Sequence, residues 1–194
     1  MKTTITKEEI AQLPVVLFEG RIITLDSMSD LESAVAYLSA QPMIGIDTET
    51  RPAFKKGVVY NVSLLQISTL DTCFLFRLNR IGFPSSLIDL FESKSVKKIG
   101  LSLQDDFGKL KKMGSFKEQS VVELQQFVKK YQIEDISLQK VYALLFDQKI
   151  SKSQRLTNWD TDVLTEQQKR YAATDAWACL RIYNELLNNH NPLV

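Results

Sequence analysis

Three β-rich runs follow one another closely: MIGIDTE at 43–49, VVYNVSLLQIS at 58–68 and TCFLFRL at 72–78. They constrain the fold more than any other feature, because such neighbouring runs, separated only by loops, read as an antiparallel three-stranded start. After them the pattern alternates. A helix is expected around SSLIDLFES, a strand in VKKIGLS, a helix from about Asp106 through KLKKM, a short strand near SVVEL, and helices to the end. Strands that alternate with helices argue for an α/β layer with parallel pairing in the second half. Ahead of the three runs, GRIITLD reads as a strand and SDLESAVAYLSA as a helix with Leu31, Val35 and Leu38 on one stripe. Ser29 is expected to cap that helix, with Glu32 completing a capping box. No repeat, low-complexity tract or Pro/Gly-rich linker divides the chain, so residues 1–19 read as a lead-in and residues 20–194 as a single domain.

Composition narrows the function classes. A chain of 194 residues with 44% hydrophobic content can fill one sizeable core. With 24 Lys+Arg against 23 Asp+Glu the formal net charge is +1, so affinity for a polyanion has to come from local patches. No stretch approaches the roughly 18 apolar residues of a membrane span, and MKTTITKEEIAQLPVV lacks a signal-type apolar run. No membrane partner and no obligate protein partner is expected. Cys73 and Cys179 stand far apart with no CxxC or Cys/His cluster, the pattern of two buried thiols in a reducing cytoplasm, and a cytoplasmic location is the expectation.

Four carboxylates sit where charges are awkward. In MIGIDTE the period of two puts Ile44 and Ile46 on one face and Gly45, Asp47 and Glu49 on the other, with the two acids roughly 7 Å apart along the strand. Either a cation holds them, or the strand leaves the core here and both are solvated. Gln104-Asp105-Asp106 opens a helix, where an aspartate serves equally well as a cap. In RYAATDAWACLRIY, Tyr171 and Asp175 are four apart and share a helical face, among alanines that let the helix approach a sheet. An unpaired aspartate in so tight a setting is costly. Taken together, Asp47, Glu49, Asp106 and Asp175 are oxygen donors without His or Cys and suit two hard divalent cations, Mg²⁺ or Mn²⁺.

DTE at 47–49, GLSLQDDFGKL at 100–110 and YAATD at 171–175 resemble, in order, the three motifs of the DEDD-type 3′-5′ exonucleases, in the subclass with tyrosine in its last motif. The stretch ISKSQRLTNWDTDVLTEQQKRYAATDA, with Lys152, Ser153 and Trp159, resembles the Werner-syndrome exonuclease branch, and ribonuclease D more distantly. His190, the sole histidine, follows Asp175 and so cannot replace the tyrosine. The resemblance implies a ribonuclease H-like fold, a mixed five-stranded sheet flanked by helices. It also implies roles. Asp47 would bridge two cations, Glu49 and Asp175 would complete the ion that activates water, and Asp106 would hold the second ion through a water. Asp106 rather than Asp105 keeps the family spacing, and Tyr171 would orient the attacking water.

The implied activity is hydrolysis of the terminal phosphodiester at a 3′ end, releasing nucleoside 5′-monophosphates. DNA is the expected substrate, with RNA 3′-end trimming or a non-catalytic nucleic-acid-binding module as alternatives. Phosphate contacts are sought among Lys94, Lys97, Lys98, Lys109, Lys111 and Lys112, in Lys149, Lys152 and Arg155, and in Lys55 and Lys56. Phe54, Phe107 and Trp159 are candidates to stack on a base, the last also reading as a core anchor. Leu64 and Gln66, on the strand after DTE, are the family-implied contacts to the terminal nucleotide, although Leu64 reads more readily as core packing and Phe107 equally as core or as a base contact.

Overall fold

The computed structural model describes residues 2–190 and 192. Helix α1 (Lys7–Gln12) and strand β1 (Val15–Val16) lead to β2 (Arg21–Leu25), α2 (Leu31–Ser39), β3 (Met43–Thr50), β4 (Val62–Ser68) and β5 (Thr72–Phe76). Then come α3 (Leu78–Ile81), α4 (Ser85–Glu92), β6 (Lys97–Gly100), α5 (Leu103–Leu110), β7 (Val121–Glu123) and α6 (Leu124–Phe127). A 3-10 turn over Val128–Tyr131 precedes α7 (Leu138–Phe146), β8 (Lys149–Ile150) and the long α8 (Glu166–Asn189).

The meander expected from the three β-rich runs is present: β3 pairs antiparallel with β4, and β4 antiparallel with β5. Parallel strands extend it on both sides, β6 and then β7 beyond β3, and β2 beyond β5. The sheet order is β2-β5-β4-β3-β6-β7, six strands rather than five, because GRIITLD and SVVEL both add to its edges. Only β4 runs against the others.

Alternation along β3 separates core from site. Ile44 and Ile46 join Leu65, Ile67, Phe74 and Phe76 beneath α2 and α4, while Leu64, Cys73 and Leu75 on the opposite face meet Trp159, Tyr171 and the alanines of α8. Each fully buried Leu or Ile contributes about 1.5–3 kcal/mol. Between these layers β3 is held from both sides, so the direction of Asp47 and Glu49 is set by packing rather than by a free loop.

The lead-in over residues 1–19 carries ordered elements, and one local expectation, the cap of α2, is overturned. The opening residues are built into the structure: α1 carries a capping box of Thr6 with Glu9, and β1 pairs in parallel with β8, Val15 beside Lys149 and Val16 beside Ile150. The Ser29–Glu32 box does not form. Asp30 takes the cap position without a side-chain cap bond, and Ser29, one residue too early to cap, donates its hydroxyl to the Asp30 carboxylate at 3.3 Å. Among the described residues no helix is long and apolar enough to cross a membrane.

Helix α8 starts with a reciprocal cap, Thr165 N–H donating to Gln168 Oε1 at 3.0 Å and Gln168 N–H to Thr165 Oγ1 at 3.1 Å. Its alanines bring it very close to the sheet. A methyl group added at Gly45 would lie 2.0 Å from the Ala176 carbonyl oxygen. Gly45→Ala therefore forces α8 off β3. It is expected to lower stability by about 1–3 kcal/mol or more, read from the denaturant midpoint.

Candidate metal centre and nucleic-acid cleft

The carboxylates converge from a strand and two helices. One oxygen from each of Asp47, Glu49 and Asp175 lies within 4.8 Å of the others. β3 supplies the first two on one face, and α8, crossing β3 and β4, supplies the third. A register shift between Glu49 and Thr50 marks the irregularity at which β3 leaves its ladder with β4. Glu49 and Asp175 are each 9% exposed, and Tyr171, one turn before Asp175, is 7% exposed. Asp106 approaches from α5 but stands outside the three-oxygen cluster, where it accepts a hydrogen bond from the Thr48 hydroxyl at 2.6 Å.

Asp106 is free to face β3 because another acid does the capping. Ser102, in the left-handed conformation at φ 63°, precedes α5, and the Glu123 carboxylate accepts from the backbone N–H of Ser102 at 2.9 Å and of Leu103 at 2.8 Å. The helix N-terminus is thus satisfied from the end of β7, and neither Asp105 nor Asp106 is needed as a cap.

Burial first, and for Asp47, Glu49 and Asp106 also neighbouring like charge, raises the acids. Burial, followed by the neighbouring Asp175, Asp106 and Glu49, holds Asp47 well above the usual carboxylate range. Burial, then Asp175 and Asp106, pushes Glu49 up to about 9, against the pull of Lys109 and Arg155. Asp175 is raised to about 7 by burial, with the Tyr171 hydroxyl and Lys152 opposing. Asp106 rises to about 6, again from burial, with Thr48 and Lys109 opposing. Among the described residues none of the four forms an ion pair. All-oxygen donors, mutually repelling and lacking a cationic side chain in contact, fit hard divalent cations.

The cluster opens into a cleft of about 430 Å³ lined by Asp47, Asp106, Asp175, Lys109, Lys152 and Arg155, among others. Residues 22–191 match the profile described as 3′-5′ exonuclease. The chain belongs to the 3′-5′ exonuclease family. It is 35% identical over 186 residues to the bifunctional 3′-5′ exonuclease/ATP-dependent helicase WRN of Mus musculus, covering 91% of this chain and 13% of that protein. A 3′-5′ exonuclease of Arabidopsis thaliana is 28% identical, over 89% of this chain and 66% of its own length. The chain therefore spans only part of these relatives. Among solved structures, the Aedes aegypti Nibbler EXO domain superposes with a TM-score of 0.78 at 24% identity, covering 92% of this chain and 95% of that one. Escherichia coli RNase D, an exoribonuclease involved in structured RNA processing, gives 0.75 at 21% identity, over 87% of this chain and 44% of that one. These likenesses establish a ribonuclease H-like exonuclease fold.

Within this exonuclease chain, several expected contacts to nucleic acid lie elsewhere. Phe107 is buried at 4% exposure, its ring edge-on to Phe91 at 5.7 Å and to Phe116 at 6.0 Å, because its helical position turns it into the α4–α5 core. It has no face for a base. Leu64 is fully buried in the cluster with Trp159 and Tyr171, and Trp159 is itself a core anchor, 6.0 Å from the Tyr171 ring. Gln66 pairs with Asp47 across the β3–β4 ladder and is fully buried, with no partner for either amide atom in the structure. It offers no surface to a nucleotide either.

The lysine cluster also divides. Lys98 is buried against the Ser93 and Gln119 carbonyls, Lys97 donates to the Tyr183 hydroxyl at 2.8 Å, and Lys111 pairs with Glu118 at 2.7 Å. Lys149 reaches the Ala11 carbonyl. Lys109 remains in the cleft with Lys152 and Arg155, while Phe54 stands 83% exposed. Residues missed at the sequence level are Thr48 and Glu123, which position Asp106 and its helix. For Thr48 a signal existed: it lies between the two acids of DTE.

Proposed function

We propose that this chain is a metal-dependent 3′-5′ exonuclease that hydrolyses the terminal phosphodiester of a nucleic acid and releases nucleoside 5′-monophosphates. The observation that carries the proposal is the convergence of Asp47, Glu49 and Asp175 within 4.8 Å, with Asp106 and three basic side chains around the same cleft. Two divalent cations, Mg²⁺ or Mn²⁺, would be held by these carboxylates and would supply charge neutralisation at the scissile phosphate and a more acidic attacking water. The chain's own groups do the rest. Lys109, Lys152 and Arg155 hold phosphates of the incoming strand. Burial and the nearby acids raise the Tyr171 hydroxyl far above its ordinary value, so it keeps its proton and acts as a hydrogen-bond donor that orients the water or the phosphate.

DNA is the substrate we favour, because the likeness over residues 150–176 runs toward the Werner-syndrome side of the family. RNA is the second reading, supported by the resemblance to structures such as Trypanosoma brucei RNase D complexed with RNA U12, at 19% identity. Parallel digestion of labelled DNA and RNA of one sequence, with Mg²⁺ or Mn²⁺, tests both. DNA cleaved faster is the expected result, and a wide preference for RNA overturns the first reading. No nucleotide release from either, at retained oligonucleotide binding, would leave a binding module instead.

Two variants test the roles. Tyr171→Phe removes one donor and should lower kcat by about ten- to a hundredfold with little change in KM. Arg155→Ala should raise KM by about tenfold and reduce the slope of log affinity against log salt by roughly one phosphate contact, measured over a salt series.

A further inference from the structure

Beside the carboxylates stands a buried glutamine with nothing to bond. Gln66, on β4, is fully buried, and neither its amide nitrogen nor its amide oxygen meets a partner. Buried side-chain amides are normally hydrogen-bonded, because an unpaired one gives up water and gains nothing in exchange. An amide in this state calls for a partner that the chain supplies in another condition of the site.

The strand ladder identifies that partner. In an antiparallel pair, residues directly opposite project to the same face, with Cβ atoms about 4.5–5.5 Å apart. Gln66 stands opposite Asp47, between the pairs Gly45–Ser68 and Glu49–Leu64, and its neighbour on β5 is Leu75. Gly45, Leu64 and Leu75 carry no polar side-chain atom, and Ser68 gives its hydroxyl to the Thr69 carbonyl at 2.7 Å. That leaves Asp47 as the acceptor directly across from the amide, with Glu49 on the diagonal.

The acids show the complementary gap. Asp106 accepts from the Thr48 hydroxyl at 2.6 Å, and Asp175 from the Tyr171 hydroxyl. Asp47 has the backbone N–H of Thr48 but, among the described residues, no side-chain donor. A donor without an acceptor therefore faces an acceptor without a side-chain donor. With a divalent cation held, the Asp47 carboxylate is an anion in a fixed orientation; it attracts the amide N–H and repels the amide oxygen, which sets the orientation of the amide as well.

We propose that Gln66 is a positioning residue of the metal centre, its amide nitrogen donating to the Asp47 carboxylate and holding it in the cation-binding orientation. The inference rests on the exonuclease reading and adds to it a residue that touches neither substrate nor cation. Carboxylates that bind metal are commonly held in this way by a hydrogen bond from behind.

The test uses the full chain with Gln66→Met, which keeps the length of the side chain and removes both polar atoms, and Gln66→Leu as a second apolar replacement. Thermal midpoint in EDTA, Mn²⁺ affinity by titration calorimetry, and kcat and KM for nucleotide release are read on each. Loss of an unpaired amide should leave the EDTA midpoint unchanged or raise it. Mn²⁺ affinity and kcat should each fall by about ten- to a hundredfold, with KM changed by less than about twofold. A purely structural glutamine would not give that combination. A midpoint lowered in both variants means that the amide is already bonded within the cation-free chain and overturns the inference; a drop in one alone reports its shape, and the result is read from the other. Mn²⁺ affinity equal to wild type also overturns it, and a raised KM alongside would return Gln66 to the role of nucleotide contact. Mn²⁺-dependent mononucleotide release by the wild type, measured in the same series, shows whether the exonuclease reading stands when this inference fails.

Discussion

Asp47→Asn is expected to lower nucleotide release by more than about a thousandfold while raising the thermal midpoint of the cation-free protein. Both effects come from one position. Asp47 is the acid whose ionised form is opposed by burial and by all three of its partners, Asp175, Asp106 and Glu49. Removing its charge relieves that repulsion, which by analogy with other buried charges is worth about 2 kcal/mol, or roughly 5 °C for a chain of this size. The same change removes the negative charge and one of the two carboxylate oxygens from one of the three acids whose oxygens lie within 4.8 Å, so the stabilisation conferred by divalent cation should largely vanish. Measuring release, midpoint and cation response on one preparation separates a site effect from misfolding. An active Asp47→Asn, or one with a lowered midpoint and an intact cation response, would remove Asp47 from the metal centre.

The parts of this site that were legible in the sequence are those governed by a local period. Alternation along β3 placed Ile44 and Ile46 in the core and Asp47 and Glu49 on the α8 side, and the four-residue spacing placed Tyr171 and Asp175 on one helical face. Both periods are properties of a single element. Asp106 was found by its spacing, yet the reason it is available was not, since the α5 N-terminus is capped by Glu123 from about twenty residues away. Long-range capping leaves no mark in the local pattern. Lysines between 94 and 112 are close in sequence but turn apart in space: Lys97 meets the Tyr183 hydroxyl, Lys98 the Ser93 and Gln119 carbonyls, and Lys111 the Glu118 carboxylate. For Phe107 and Leu64 the core alternative holds: a residue adjacent to a ligand on a helix, or opposite one on a strand, points wherever the element's period sends it.

Cation-free protein should lose stability as pH rises from 5 to 8, by about 10 °C in thermal midpoint, and millimolar Mn²⁺ or Mg²⁺ should restore more of it at pH 8 than at pH 5.5. The direction follows from carboxyls raised by folding: Glu49 from 4.5 to about 9, Asp175 from 3.8 to about 7, and Asp106 from 3.8 to about 6. Below about pH 3 these groups are protonated in both states and contribute no difference. Between the unfolded and folded values the unfolded chain gives up protons that the folded chain retains, so unfolding is favoured progressively; above the folded values the full penalty of burying like charges remains. Acids with lowered values, such as Asp71 and Asp135, add stability only as pH rises through the acid range and are level above about pH 5. Lys98, lowered to about 8 by burial, contributes in the opposite sense above that pH, which sets the upper end of the window. Divalent cation binds the ionised carboxylates, so its stabilisation grows as the site's protons leave. A midpoint that rises between pH 5 and 8 in EDTA, or a cation effect independent of pH, would mean that the four acids are not the crowded, unpaired cluster on which the exonuclease chemistry depends.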